Sequence, residues 1–133
     1  MIKLRTLVIL QLLFATASIS YLFINVWREH MTVKPLSPAP IVFSLILFGL
    51  YIMSLFLAKL HQTVWYRVAM GFAILFFGVG GVIGNIVRYM DSGLEDYSSF
   101  TALVAAVAIN AFGSVLNGIA VLGLFRENKE VTS

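Results

Sequence analysis

Four long stretches of this chain are almost free of charge, and that constrains its fold more than anything else in the sequence. Residues 7–26, 41–60, 68–87 and 100–125 are apolar runs without a single Asp or Glu. Each reaches the roughly 20 residues that an α-helix needs to cross about 30 Å of hydrocarbon at 1.5 Å per residue. A soluble domain is about 25% charged, because its surface must face water. Here only 11% of 133 residues are charged and 60% are hydrophobic. Nine basic and six acidic residues cannot coat a soluble domain of this size. The surface is therefore expected to face lipid.

Within lipid, backbone amides and carbonyls must be satisfied inside the segment, which leaves helices or a closed barrel. Barrel strands alternate polar and apolar residues over about ten positions. Runs such as Ala73-Ile74-Leu75-Phe76-Phe77 do not alternate. The expected fold is all-α: a single polytopic domain over 1–133, an integral membrane four-helix bundle with antiparallel, up-and-down helices.

The connections are short. Pro35, Pro38 and Pro40 stop a helix and restrict the residues before them, so the second helix is expected to start just after Pro40. Residues 61–67 form a tight turn, which makes the second and third helices antiparallel neighbours. Asp91, Ser92 and Gly93 suit a turn within 88–99, and Ser98 or Ser99 can cap the fourth helix. The tail 126–133 is polar and is expected to fray. Near the start, Lys3 and Arg5 precede the first run, and Ala15-Thr16-Ala17 has the small-x-small form of a cleavage site. The run continues to Val26, longer than a signal core of roughly 7–15 residues, so a retained helix is expected.

Basic residues are held on the cytoplasmic side of short loops. With the N-terminus inside, Lys3, Arg5, Lys59, Arg67, Arg126 and Lys129 lie in the cytoplasm, against Arg28, Lys34 and Arg88 outside. Both termini are thus expected to be cytoplasmic. Trp27, Tyr89 and Tyr97 then fall at the outer interface, and Trp65 and Tyr66 at the inner one, where amphipathic rings prefer to sit. Short loops and small size suit a bacterial inner membrane. The basic residues are dispersed and form no patch, which argues against nucleic acid.

The third helix carries the densest pattern. Gly78, Gly80, Gly81 and Gly84 let another backbone approach, and Gly80 and Gly84 form a G-x-x-x-G pair. Gly78, Gly81, Asn85 and Arg88 follow helical spacing along one stripe. In the fourth helix Asn110, Ser114 and Asn117 share a face. An unpaired amide in hydrocarbon costs roughly 2–7 kcal/mol, so these side chains need partners. Depth matching offers Thr16 and Ser18 to Asn110, and Gln11 to Asn117. Two readings remain open for these residues: helix packing and interhelical hydrogen bonds, or a polar path for an ion or small solute.

The segment Gly80-Gly81-Val82-Ile83-Gly84-Asn85-Ile86-Val87-Arg88-Tyr89 resembles the GG-x-x-G-x-x-x-RY segment of the small dimeric fluoride channels. Asn110, Gly113 and Ser114 are similar to the Asn and Gly-Ser of that family's next helix. The resemblance covers about a quarter of the chain and implies an anion pathway near Asn110. The segment opens the chain in that family and lies in the third helix here, so no membership is assigned.

The absences narrow the choice. There is no cysteine. His30 and His61 fall at opposite ends of the expected topology and cannot share one haem iron. Asp91, Glu95 and Asp96 match no cation-binding loop. The four cores hold no ionisable residue of the kind that proton-coupled transporters use, since Lys59 and Arg88 sit at helix ends. No base accompanies the intramembrane hydroxyls, so an enzyme is not expected and no cofactor is assigned. The expectation is a non-enzymatic membrane protein that associates with other subunits or with itself, as a subunit or assembly factor. The alternative is a small channel or uncoupled carrier along Asn85, Arg88, Asn110, Ser114 and Asn117.

Overall fold

Turn residues and end caps fix where the helices start and stop. The computed structural model describes residues 1–127. Among the described residues, helix α1 spans Leu4–His30, α2 Ile41–Lys59, α3 Thr63–Ser92 and α4 Phe100–Leu122. Each is long and apolar enough to cross a membrane. Helix α2 begins directly after Pro40, as the prolines dictate. The Ser99 hydroxyl accepts the Ala102 amide at 3.1 Å and caps α4. Gly93, at φ +62°, ends α3, and Gly123, at φ +70°, ends α4 two residues before the expected Phe125. Arg67 then donates from Nε and Nη2 to the Val121 carbonyl at 3.0 and 2.7 Å, satisfying an orphan acceptor of that terminus.

Helix α3 is longer than expected at both ends, so the turn within 88–99 contracts to 93–99. The expected borders followed polarity. Nothing in Thr63–Arg67 or Arg88–Ser92 breaks a helix, and the backbone bonds continue through both. Its middle, Ile74–Ile83, is π-helical where regular α-helix was expected. Such widened turns recur at functional sites, and Gly78, Gly80 and Gly81 give this one its backbone freedom.

The helices alternate in direction. A two-residue parallel pairing joins β1, Ile2–Lys3, to β2, Phe125–Arg126, and holds the described ends of the chain together at one end of the bundle. That end also carries Lys59, Arg67 and the turn at His61; Lys34 and Leu94 meet at the other. The tail expected to fray from residue 126 is ordered at its start, where Arg126 pairs with Lys3 and Glu127 accepts from Thr63 at 2.6 Å; Lys129 and the rest of it lie outside the described residues.

The core is drawn from all four helices, with Leu7, Phe14, Phe48, Leu55, Met70 and Leu116 among its members. It is thin. No more than 33% of any span's apolar window is buried, and α2 leaves Val42, Phe43, Ile46, Leu50 and Met53 exposed along its outer face. Contiguous apolar surface on this scale needs an apolar surrounding.

Helix α3 packs on α4 through Ile74–Ile83 and beyond. The backbones of α2 and α3 come close over Thr63–Ala73 and stand further apart along Ile74–Ile83, where aromatic side chains bridge them, Phe48 stacking on Phe77 at 4.6 Å. The gap that results positions the site described next.

Candidate functional site

Two polar regions lie inside the bundle, separated by aromatic rings. The first is a closed knot toward the end that holds the termini. Gln11 from α1, Tyr51 from α2, Tyr66 and Met70 from α3 and Asn117 from α4 are all buried. Gln11 Nε2 donates to Asn117 Oδ1 at 3.1 Å and to Met70 Sδ at 3.1 Å. Tyr51 Oη donates to Asn117 Oδ1 at 2.6 Å, and Tyr66 Oη donates to Gln11 Oε1. Among the described residues Asn117 Nδ2 makes no hydrogen bond. Every helix thus contributes a polar group whose partner lies on another helix.

The Gln11–Asn117 pairing is the one that depth matching expects. Tyr51 and Tyr66 were missed as partners. For Tyr51 the signal was present, since a tyrosine in the middle of an apolar run needs an acceptor when buried; Tyr66 lies beside Arg67 in the expected turn and gave none. Tyr66 and Tyr97, expected at the interfaces, are 0% and 1% exposed and turn inward, whereas Trp27 and Trp65 are exposed as expected.

The second region is a cavity of about 440 Å³ in the half of the bundle nearer the Pro40 loop. Helix α1 contributes Ser18 and Tyr21, α2 Phe43 and Ser44, α3 Gly81, Asn85 and Arg88, and α4 Asn110. Asn85 Nδ2 donates to the Gly81 carbonyl at 2.5 Å and its Oδ1 accepts from Tyr97 Oη at 2.5 Å. Arg88 Nη1 lies 3.4 Å from Tyr97 Oη and forms no ion pair with Asp91 among the described residues. Nearby, Asn25 anchors the proline loop: its Oδ1 accepts from the Leu36 and Ser37 amides at 2.7 and 3.3 Å.

Asn110 does not find Thr16 or Ser18. Its Nδ2 donates to the Ala106 carbonyl at 2.8 Å, Thr16 Oγ1 to Leu12 and Ser18 Oγ to Phe14, each within its own helix. Ser114 Oγ likewise donates to the Asn110 carbonyl at 2.7 Å. Back-bonding satisfies these groups without an interhelical partner. The expected polar row is also divided. Asn85, Arg88 and Asn110 line the cavity, Asn117 belongs to the knot, and Ser114 faces Gly78. Between the two regions stand Phe14, Phe48, Tyr51 and Phe77, with Phe48 and Phe77 stacked at 4.6 Å and Phe14 edge-on to the other three at 5.4–5.7 Å.

The glycines divide as well. A Cβ on Gly81 would fall within the Asn110 amide, and one on Gly78 would lie 3.2 Å from Ser114 Oγ. Gly80 meets nothing within 4 Å, and Gly84 meets only the Val79 carbonyl of its own helix. Two glycines seat α3 on α4, and the G-x-x-x-G pair faces elsewhere. His30 and His61 lie at opposite ends of the bundle. Among the described residues, no three His, Asp or Glu side chains gather where they could hold a metal ion.

These features define a class: an all-helical protein with four helices each long and apolar enough to cross a membrane, knotted on one side and open on the other. Comparison with protein-family models, curated proteins and solved structures gives no match.

Proposed function

We propose that this chain is an integral protein of a bacterial inner membrane, with both termini cytoplasmic, that works without catalysis by associating with other membrane subunits or a second copy of itself. The observation that carries this reading is the bare backbone at Gly80 and Gly84. They form a close-approach motif, yet a Cβ on Gly80, which also borders the cavity, meets nothing within 4 Å and one on Gly84 meets only its own helix. The placement in a bilayer draws on the exposed apolar faces, and the orientation on Lys3, Arg5, Lys59, Arg67 and Arg126 gathering at the end that holds the termini. Leu at both Gly80 and Gly84 should abolish the oligomer or the copurifying partner in native mass spectrometry of mild-detergent extracts. Gly84→Leu alone, outside the cavity, should weaken it. A wild-type chain that runs as a lone monomer sinks this function.

A second reading, a small channel or uncoupled carrier, draws on the cavity reaching from Arg88 to Asn110. The rings of Phe14, Phe48, Tyr51 and Phe77 stand across the continuation to Asn117 and weigh against it. Under that reading Asn110→Leu abolishes ion flux into liposomes while leaving assembly intact.

A further inference from the structure

Arg88 keeps a permanent charge, and no carboxylate pairs with it among the described residues. It sits four residues before the end of α3, about 6 Å in by helical rise, where a headgroup would lie if α3 crossed a bilayer. The hydroxyl of Ser44, near the start of α2, also lines the cavity and bonds nothing among the described residues. Donors with hydrogens to spare therefore cluster at the mouth.

The interior is different. The Ser18 and Tyr21 hydroxyls give their single hydrogen to the Phe14 and Ala102 carbonyls, and Asn110 Nδ2 gives one of its two to Ala106. What the deep wall keeps for a polar solute is the second N–H and the oxygen of the Asn110 amide. Facing it, Leu47, Phe48, Leu75 and Phe76 are hydrocarbon. The deep end at Asn110 is ten residues into α4, about 15 Å by rise, which is half of a roughly 30 Å hydrocarbon core, or one leaflet. The volume of about 440 Å³ is that of a ligand pocket, typically about 300–1,000 Å³.

Two half-exposed rings form the cavity wall between α2 and α3. Phe43 of α2 and Phe76 of α3 meet edge-on at 6.4 Å between centroids, and both are about half exposed. Side chains, and not close backbone contact, bridge α2 and α3 over Ile74–Ile83.

From this geometry we propose that the cavity holds one acyl chain of an anionic phospholipid, admitted between Phe43 and Phe76, with the lipid phosphate on the Arg88 guanidinium. An arginine fork matches phosphate oxygens in pairs. This inference rests on the bilayer placement proposed above and not on the association.

The test is native mass spectrometry of the full-length chain in detergent, titrated with phosphatidylglycerol, phosphatidylcholine and, as competitor, inorganic phosphate. One phosphatidylglycerol should be retained about tenfold more tightly than phosphatidylcholine. Arg88→Gln should erase that preference. Leu47→Trp, which fills the cavity, should remove retention of either lipid while circular dichroism keeps the helix content. Ser44→Phe, at the mouth, serves if Leu47→Trp fails to fold. Equal retention of both lipids unchanged by Arg88→Gln, or unsaturable binding of many copies, overturns the inference. So does complete displacement by inorganic phosphate, which would leave an anion site without a chain. A monomer that retains one phosphatidylglycerol sinks the association and leaves this site standing. An oligomer that retains none does the reverse.

Discussion

Buried in hydrocarbon, a hydroxyl or an amide has no water to fall back on, so the knot gains most of its weight from what its loss would strand. Removing the Asn117 acceptor leaves Tyr51 Oη unpaired inside the bundle, and an unsatisfied buried donor costs about 1–3 kcal/mol. Removing both groups removes the stranded donor too. Asn117→Leu and Tyr51→Phe should therefore each destabilise the bundle, while the double variant costs less than their sum by about 0.6–1.7 kcal/mol, the range found for interhelical hydrogen bonds. Unfolding in detergent with increasing dodecyl sulfate reads this directly, and strictly additive values would show that the bond contributes nothing. A second residue-scale contrast uses glycines. Gly81→Val must displace the Asn110 amide, at a cost of about 1–3 kcal/mol for overpacking. At Gly49, where a Cβ meets nothing within 4 Å, Gly49→Ala should be neutral or raise stability by up to about 1 kcal/mol. Thermal unfolding of the two variants side by side should separate them. If they shift alike, Asn110 does not seat on Gly81 as described.

At the scale of elements, the ends of the helices depend on single side chains. Ser99→Ala removes the hydroxyl that accepts from Ala102 and should cost about 1 kcal/mol, read as faster amide exchange in the first turn of α4 with the rest of the helix unchanged. Helix α3 is the element whose geometry decides the site. Its π-helical stretch rides on α4 through Gly78 and Gly81, and α2, held along α1, reaches that stretch through aromatic side chains and not by close backbone approach. The cavity is the space between a helix that leans one way and a neighbour that does not follow. Of the polar groups facing that space, Ser18 and Asn110 bond within their own helices, while Tyr21 ties α1 to α4 at Ala102.

For the molecule as a whole, the testable quantity is which side each end faces. The chain contains no cysteine, so single introduced cysteines give a clean background. Lys34→Cys and Asp96→Cys, at the end away from the termini, should react with a membrane-impermeant thiol reagent on intact cells. Lys3→Cys, Gln62→Cys and Arg126→Cys should react only after permeabilisation. All five positions are exposed. The structure places Lys3 and Arg126 in adjacent strands, so any result that labels one and not the other from outside contradicts the fold itself. The reverse pattern for the whole set would invert the proposed orientation and leave the fold intact.

The number of helices, their alternation and the start of α2 follow from the sequence by itself, because length, apolarity and proline act locally and need no partner to take effect. Gln11 and Asn117 could be paired for a related reason: depth along straight helices is set by residue count. What lay beyond the sequence is everything that depends on how helices turn about their axes and how far apart they stand. Tyr66 and Tyr97 are equally suited by composition to an interface or a core, and only tertiary contact with Gln11 and Asn85 draws them inward. The glycine row looks uniform in one dimension, yet packing gives Gly78 and Gly81 to α4 and leaves Gly80 and Gly84 uncovered. The cavity arises where α2 and α3 part, because a gap between two helices is a property of their arrangement and of no single segment.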